Sequence, residues 1–337
     1  MSCVGVLGAG SWGTALAVQF AANGHQVRLW TRRPELCAEL AAARSNAVYL
    51  PGIQFPATLE ATHQLADLAS CEVVLVVVPS HGFRQVVREF LAVVGDGPLP
   101  ILVSGTKGVE ESSMLRMSQV CAAEAAEMGR QVHFAVLGGP TFAAELARGV
   151  PSAGVIAGAE EEVAEHLREL LAARNFRLYS SADVVGVELA GTTKNVIAIS
   201  AGVLLGLGLG QNTLAALITR GLHEITRLGV ACGGQVATFY GLAGLGDLVL
   251  TCTGGLSRNR QVGIKLAEGL SLDQITGATP MVAEGVRNAL TVSALARDQG
   301  VEMPITEQMV AVLYHGQTPR QALEELMTRQ LKAETEP

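Results

Sequence analysis

A strand-like apolar run ends at Leu7, and an Ala- and Leu-rich helical pattern begins a few residues later. Between them stands Gly8-Ala9-Gly10-Ser11-Trp12-Gly13, followed by TALA. Nothing else in the chain restricts its folding as strongly. Gly8 permits a tight turn, Gly10 lets backbone N–H groups come close to a ligand, and Gly13 lets a helix lie against its strand. A second strand-like run, 26–30, completes a βαβ unit. The N-terminus of such a helix favours anions, so this unit is expected to hold a dinucleotide pyrophosphate. Read alone, the glycine pattern is only a turn; the strands on either side give it meaning.

Alternation continues through the first half. Strand-like runs at 3–7, 26–30, 73–78, 101–104, 133–137, 152–157 and 177–180 are separated mostly by helix-like segments. The run VVLVVV at 73–78 is apolar throughout, as a strand covered on both faces requires. This pattern predicts an α/β Rossmann-type doubly wound sheet. After about Asp183 the strands stop. Leu214, Leu217, Ile218, Leu222 and Ile225 have the spacing of one helix face. The stretches 282–298 and 318–332 also read as helices, the latter capped by Thr318 with Pro319 at its first position. The expected domains are 1–185, a dinucleotide-binding sheet domain, and 186–337, an all-α domain.

At 337 residues the chain is long enough for two cores. Its net charge of −7 weighs against a general nucleic-acid binder but not against a local anion pocket. The cysteines (3, 37, 71, 121, 232, 252) form no CxxC pair and the histidines no HxxxH pair, so a structural zinc site is not expected. Such scattered cysteines fit a reducing compartment, and no secretory signal opens the chain, so a cytoplasmic protein is expected. The stretch 196–219 carries no charge and is long enough to span a bilayer. Gly202, Gly206, Gly208 and Gly210, then Gln211 and Asn212, interrupt it. A buried helix, a break and a second helix account for it better, so no stable membrane insertion is expected.

The chemistry-bearing residues fall at strand ends and in the helical half. Trp30-Thr31-Arg32-Arg33 ends the second strand without the acid that grips a ribose 2′-OH. Two guanidiniums suit a 2′-phosphate, so NADP(H) is favoured and NAD(H) stays open. Val78-Pro79-Ser80-His81 and Gly105-Thr106-Lys107-Gly108 follow later strands, and Lys107 is placed for an anion. In Gly138-Gly139-Pro140-Thr141-Phe142, Thr141 is expected to cap the next helix. Lys194 stands at the edge of the most apolar segment, where desolvation lowers a lysine pKa and suits proton transfer. Asp247, among apolar residues, calls for a cationic partner. Ser257-Arg258-Asn259-Arg260 suits a phosphate monoester. Each alone is an ordinary capped turn or surface charge; together they read as a substrate pocket.

The motifs GAGSWGTALA, VVVPSH, TKG, GGPTFAAEL, KNVIAI, GLGDLVLTCT, SRNR and VAEGVRN occur in this order along essentially the whole chain. In them the sequence resembles the bacterial NAD(P)-dependent sn-glycerol-3-phosphate dehydrogenases. The resemblance implies a Rossmann domain followed by a helical domain like the C-terminal one of 6-phosphogluconate dehydrogenase. It implies interconversion of dihydroxyacetone phosphate and glycerol 3-phosphate for phospholipid synthesis, in a cytoplasmic homodimer. Carried over by position, Ser11, Trp12, Arg32, Arg33, Tyr49, Lys107 and Ala143 would contact the cofactor, with Gly8, Gly10 and Gly13 forming its turn. Arg258, Val282 and Glu284 would close over it. Lys194 would be the catalytic proton donor and acceptor, tuned by Asp247. Lys107, Gly139, Thr141, Lys194, Asp247, Ser257, Arg258 and Asn259 would surround the substrate. Two departures are Ala144, where relatives often carry Lys, and Thr192-Thr193, where small apolar residues are commoner. Two rival readings stand beside it: a ketopantoate-type reductase of this architecture, whose substrate carries a carboxylate and no phosphate, and a non-enzymatic redox sensor that binds NAD(P) and a partner protein.

Overall fold

The structure, a computed structural model, describes residues 2–277, 283–331 and 333–334. Chain contacts divide it into two compact units: Met1–Glu110 with Leu115–Val184, and Glu111–Met114 with Val185–Pro337.

The first unit is a sheet covered on both faces. Its strands are β1 (Cys3–Leu7), β2 (Gln26–Trp30), β3 (Ser45–Asn46), β4 (Leu50–Gln54), β5 (Leu59–Thr62), β6 (Val73–Val76), β7 (Ile101–Ser104), β8 (Phe134–Gly138), β9 (Ser152–Gly158) and β10 (Phe176–Ser181). Its helices are α1 (Ser11–Ala22), α2 (Pro34–Ala43), α3 (Ser80–Val94), α4 (Met117–Glu127), α5 (Ala143–Ala147) and α6 (Glu161–Leu171). Eight strands pair in the order β10-β9-β8-β7-β6-β1-β2-β5, while β3 and β4 form a separate hairpin. Every pair in the large sheet is parallel except β8 with β9. The seven expected strands are present within a residue or two at each end. The edge strand β5 and the β3–β4 hairpin are additions, as is the antiparallel pair. Leu59-Glu60-Ala61-Thr62 alternates apolar and polar residues over a single run of four, too short to stand out from its surroundings.

All four residues of β6 are buried, as its unbroken apolar run requires. On one face Val4, Val6 and Leu75 pack with Leu16 and Phe20 of α1. On the other, Leu7, Val74 and Val76 pack with Phe83, Val87 and Phe90 of α3 and Val120 of α4. The chain leaves β1 for β2 on one side and later returns to β6 on the other. Strand order reverses there, and ligands of such sheets bind beyond the carboxyl ends at that point. The glycine turn occupies it.

The second unit is helical: α7 (Val184–Gly206), α8 (Gln211–Ala231), α9 (Val236–Tyr240), α10 (Asp247–Thr253), α11 (Arg258–Ala267), α12 (Leu272–Gly277), α13 (Glu284–Asp298), α14 (Pro304–Tyr314) and α15 (Pro319–Met327). Helix α7 is apolar because it is surrounded. Val196, Ile199 and Val203 face Val262, Leu266 and Val286, while Ala190, Ile197 and Ala201 face Leu222, Ile225 and Phe239. Of its most apolar window, 89% is buried within the protein, so its composition is that of a core helix. The break falls at residues 207–210, between α7 and α8. Thr318 caps α15 as expected: its Oγ1 accepts from the Gln321 N–H at 3.3 Å, and Gln321 Oε1 accepts from the Thr318 N–H at 2.9 Å. That helix ends at Met327 rather than near 332.

Glu224 on α8 is 3% exposed and caps α14. Its carboxylate accepts from the Ile305 N–H at 2.7 Å and from the Thr306 N–H and hydroxyl at 3.3 Å each. Burial raises this carboxyl from 4.5 to about 7, against the opposing pull of those amides. A folded pKa above the unfolded one means that the contribution is complete below about pH 4.5 and lost as pH rises through about 7. Thermal unfolding followed from pH 5 to 8 should therefore show a decline worth about 2–3 kcal/mol from this group. Glu224→Gln should flatten that decline relative to the parent protein.

Candidate active site

In the first unit the glycine turn is held by three strands. The Gly8 N–H donates to the Trp30 carbonyl at 3.0 Å, and the Val77 N–H donates to the Leu7 carbonyl at 2.8 Å. Gly8 has φ +119°, and a Cβ on it would lie 2.5 Å from the Val77 oxygen. A Cβ on Gly13 would lie 1.9 Å from the Gly8 oxygen, so α1 sits on the turn as only glycine allows. Around Gly10 the situation is opposite, for a Cβ there would meet nothing within 4 Å. No protein packing explains that glycine; the space above it suits a phosphate. Gly10 is also the N-cap of α1 and brings no side chain to its first N–H groups. Trp12 Nε1, beside Gly105, is buried without a hydrogen-bond partner among the described residues. These features fit a dinucleotide cofactor.

Arg32 and Arg33 stand exposed after β2. Arg33 Nη2 donates to the Tyr49 hydroxyl at 3.3 Å, which brings two of the expected cofactor residues together. Lys107 is partly buried just beyond β7. Thr106 Oγ1 secures that turn by donating to the Val78 carbonyl at 2.7 Å. Gly139, at φ +118°, follows β8, and Ala143 begins α5. Thr141 does not cap that helix: Phe142 holds the cap position, and the Thr141 hydroxyl turns back toward the Gly139 carbonyl at 3.4 Å. A carbonyl two residues back competes with the helix amides for a short hydroxyl. Ala144 contributes its backbone oxygen to Arg148 Nε at 3.0 Å. His81 is exposed.

The second unit is built around a buried charge. Lys194 and Asp247 are 5% and 1% exposed. Lys194 Nζ donates to Asp247 Oδ1 at 2.5 Å and to Thr251 Oγ1 at 2.8 Å. Thr251 in turn donates to the Asp247 backbone oxygen at 2.6 Å. Asp247 opens α10 directly after a π-helical turn, Leu242–Gly246, where a Cβ on Gly244 would lie 2.1 Å from the Phe239 oxygen. Beside the pair, burial pushes the Cys252 thiol up to about 12, so this cysteine is a packed group rather than a nucleophile. Thr192 and Thr193 return their hydroxyls to the Glu188 and Leu189 carbonyls at 2.8 Å each, which satisfies them within α7.

Helix α11 lies against α7 through glycines. A Cβ on Gly202 would be 1.9 Å from the Arg260 oxygen, and one on Gly263 would be 1.9 Å from the Ile199 oxygen. That contact sets Asn259 against Asn195: Asn259 Nδ2 donates to Asn195 Oδ1 at 2.9 Å, and Asn259 Oδ1 accepts from the Gly285 N–H at 3.0 Å. Among the described residues these contacts use one of the two Asn259 amide hydrogens. Ser257 caps α11 by accepting from the Arg260 N–H at 3.3 Å. Arg258, the first residue of α11, is exposed between the buried Ser257 and Asn259, and Glu284 begins α13. Crowding around the Arg258 guanidinium lowers its pKa, and the Glu284 charge raises it. Val282 lies outside the described residues.

Two family descriptions match, the NAD-dependent glycerol-3-phosphate dehydrogenase N-terminus over residues 3–164 and its C-terminus over residues 183–324. The chain belongs to this family. A glycerol-3-phosphate dehydrogenase, NAD(P)+, of Geobacter metallireducens is 51% identical over 334 residues, covering 98% of each chain. One of Koribacter versatilis is 49% identical over 332 residues, again covering 98% of each. The crystal structure of glycerol-3-phosphate dehydrogenase from Coxiella burnetii aligns at a TM-score of 0.92 with 41% identity, covering 97% of this chain and 99% of that one. Membership in this family sets aside the reductase and sensor readings.

Two polar residues of these clusters, Thr251 and Asn195, are given no role by the sequence reading. Thr251 lies four residues after Asp247, hence on the same helix face, and that spacing is the one signal available. Removing one member of a buried pair strands the other charge, so Asp247→Ala should cost about 3 kcal/mol in denaturant unfolding. The double variant Lys194→Met, Asp247→Leu should recover most of that loss, because it leaves no charge behind.

Proposed function

We propose that the protein interconverts dihydroxyacetone phosphate and sn-glycerol 3-phosphate with NAD(P)H as hydride donor. The observation that carries this reading is the buried Lys194 ammonium, held by Asp247 and Thr251, in a chain of this family. When bound, the nicotinamide supplies a hydride from its C4.

The rest of the chemistry belongs to the chain. Hydride addition to the C2 carbonyl makes a new C–H bond and leaves a pair of electrons on oxygen. Lys194 stabilises that oxygen with its charge and then protonates it; solvent restores the lysine proton. Asp247 and Thr251 fix Nζ at one point, which matters because a misplaced proton donor loses the advantage of orientation. Ser257, Arg258 and the remaining Asn259 amide hydrogen bind the substrate phosphate at the start of α11, with Lys107, Gly139 and Thr141 as further substrate residues. That remote binding energy orients the carbonyl.

Gly8, Gly10, Ser11, Trp12 and Gly13 hold the pyrophosphate and its neighbours, and Lys107, Ala143, Arg258, Val282 and Glu284 complete the cofactor set. Arg32, Arg33 and Tyr49 hold the adenosine end. With two guanidiniums and no acid after β2, NADP(H) is preferred and NAD(H) is also used. By its likeness to the family, the protein works as a cytoplasmic homodimer that feeds phospholipid synthesis.

Lys194→Ala should reduce kcat at least about a thousandfold, given the scale of general acid catalysis combined with charge stabilisation. NADPH affinity, read by its fluorescence, should change less than threefold. Full turnover in that variant would overturn the assignment. Arg32→Ala should raise KM for NADPH about tenfold, the worth of one charge-assisted phosphate contact, and leave KM for NADH nearly unchanged.

A further inference from the structure

Asn46 is 1% exposed, in the hairpin strand β3, and belongs to none of the groups assigned above. Both hydrogens of its Nδ2 are used. One goes to the Ala9 carbonyl at 3.0 Å and the other to Thr14 Oγ1 at 2.9 Å. Its Oδ1 accepts from the Tyr49 N–H at 3.1 Å. The amide has only one sensible orientation, because Ala9 O can only accept and the Tyr49 N–H can only donate.

Ala9 is the second residue of the glycine turn. Its peptide bond to Gly10 is planar and trans. In such a bond the C=O and the following N–H point in opposite directions. Fixing the Ala9 oxygen on Asn46 therefore turns the Gly10 N–H away from the hairpin. Gly10 is also the residue whose missing Cβ leaves open space. On its other side the same amide fixes the backbone of Tyr49, whose hydroxyl accepts from Arg33. A single buried side chain thus ties the phosphate turn to the Arg33–Tyr49 pair.

We propose that Asn46 is a positioning residue for the dinucleotide: through its contacts with Ala9 and Tyr49 it orients the Gly10 amide and the Arg33–Tyr49 pair as one unit. This rests on the reading that the turn binds NAD(P)H. The hairpin that presents Asn46 is itself held by Arg44, in the left-handed region at φ 48°, whose Nη2 donates to the Pro56 carbonyl at 2.6 Å.

The test compares the parent enzyme with Asn46→Asp and Asn46→Ala. Asp keeps the shape and the acceptor for Tyr49 but sets an oxygen against the Ala9 oxygen; Ala removes all three contacts without adding charge. Dissociation constants for NADPH and NADH, read by fluorescence, should rise at least about tenfold in both variants, a change of about 1.4 kcal/mol. KM for either cofactor should rise in parallel, whereas kcat at saturating cofactor and KM for dihydroxyacetone phosphate should stay within threefold. A residue that only supports the fold would lower the melting temperature and leave cofactor affinity unchanged. Cofactor affinity within twofold of the parent in either folded variant overturns the proposal, as does failure of both variants to fold. A parent protein that binds NADPH but leaves dihydroxyacetone phosphate unreduced would sink the reaction, and the affinity comparison would still decide the role of Asn46.

Discussion

A Cβ on Gly13 would lie 1.9 Å from the Gly8 oxygen, and a Cβ on Gly263 would lie 1.9 Å from the Ile199 oxygen. These two backbone contacts, one in each unit, set how closely a helix approaches its neighbour. Side chains normally hold helices 8–10 Å apart at their axes. Where that spacing collapses, backbone amides and short polar side chains can reach groups they would otherwise miss. In the first unit the contact lowers the start of α1 onto the end of β1. In the second it brings the first turn of α11 to α7, so that Asn259 meets Asn195. A methyl group at either place would leave the apolar core largely intact and displace the polar groups that depend on it.

Those polar groups are costly to bury, and the structure places each against a specific partner. Helix α7 carries two charged residues, Glu188 and Lys194, in 23 positions. An ammonium in that setting is tolerable only when paired and hydrogen-bonded. Asp247 and Thr251 meet that need from one face of α10, which the π-helical turn before it directs inward. Apolar replacements could pack as well; what the ion pair adds is a charge at a defined point. Asn46 does the same for a dipole. The overall charge of −7 does not oppose local anion sites, since Arg32, Arg33 and Lys107 gather beyond the strand ends of one unit and Arg258 and Arg260 in the first turn of α11. Field at short range follows the nearest charges rather than their sum.

Much of the fold was legible. The glycine turn announced the βαβ unit, because no other residue tolerates those contacts. The VVLVVV run announced a strand covered on both faces, because half-exposed strands alternate. The uncharged stretch after Lys194 announced a core helix with a break at its glycines. The reversal of β9 was not legible, since period-2 patterning carries no strand direction. Nor was β5, whose alternation of apolar and polar residues runs for only four positions. Thr141 misled because a hydroxyl can choose between a helix amide and a nearby carbonyl, and the sequence does not rank them.

For the sites the division is sharper. By itself the sequence determined which groups are available: the turn glycines, the arginines after β2, a lysine at the edge of an apolar helix, an aspartate needing a cation and the Ser-Arg-Asn-Arg cluster. Residue type and local spacing carry that information, because they set local conformation and charge. The tertiary structure alone decided which of these meet. Lys194 and Asp247 are 53 residues apart in the chain, and Asn46 lies 37 residues from the carbonyl it holds. Contacts at such separations are set by how helices and strands pack, and packing distances do not appear in any local pattern.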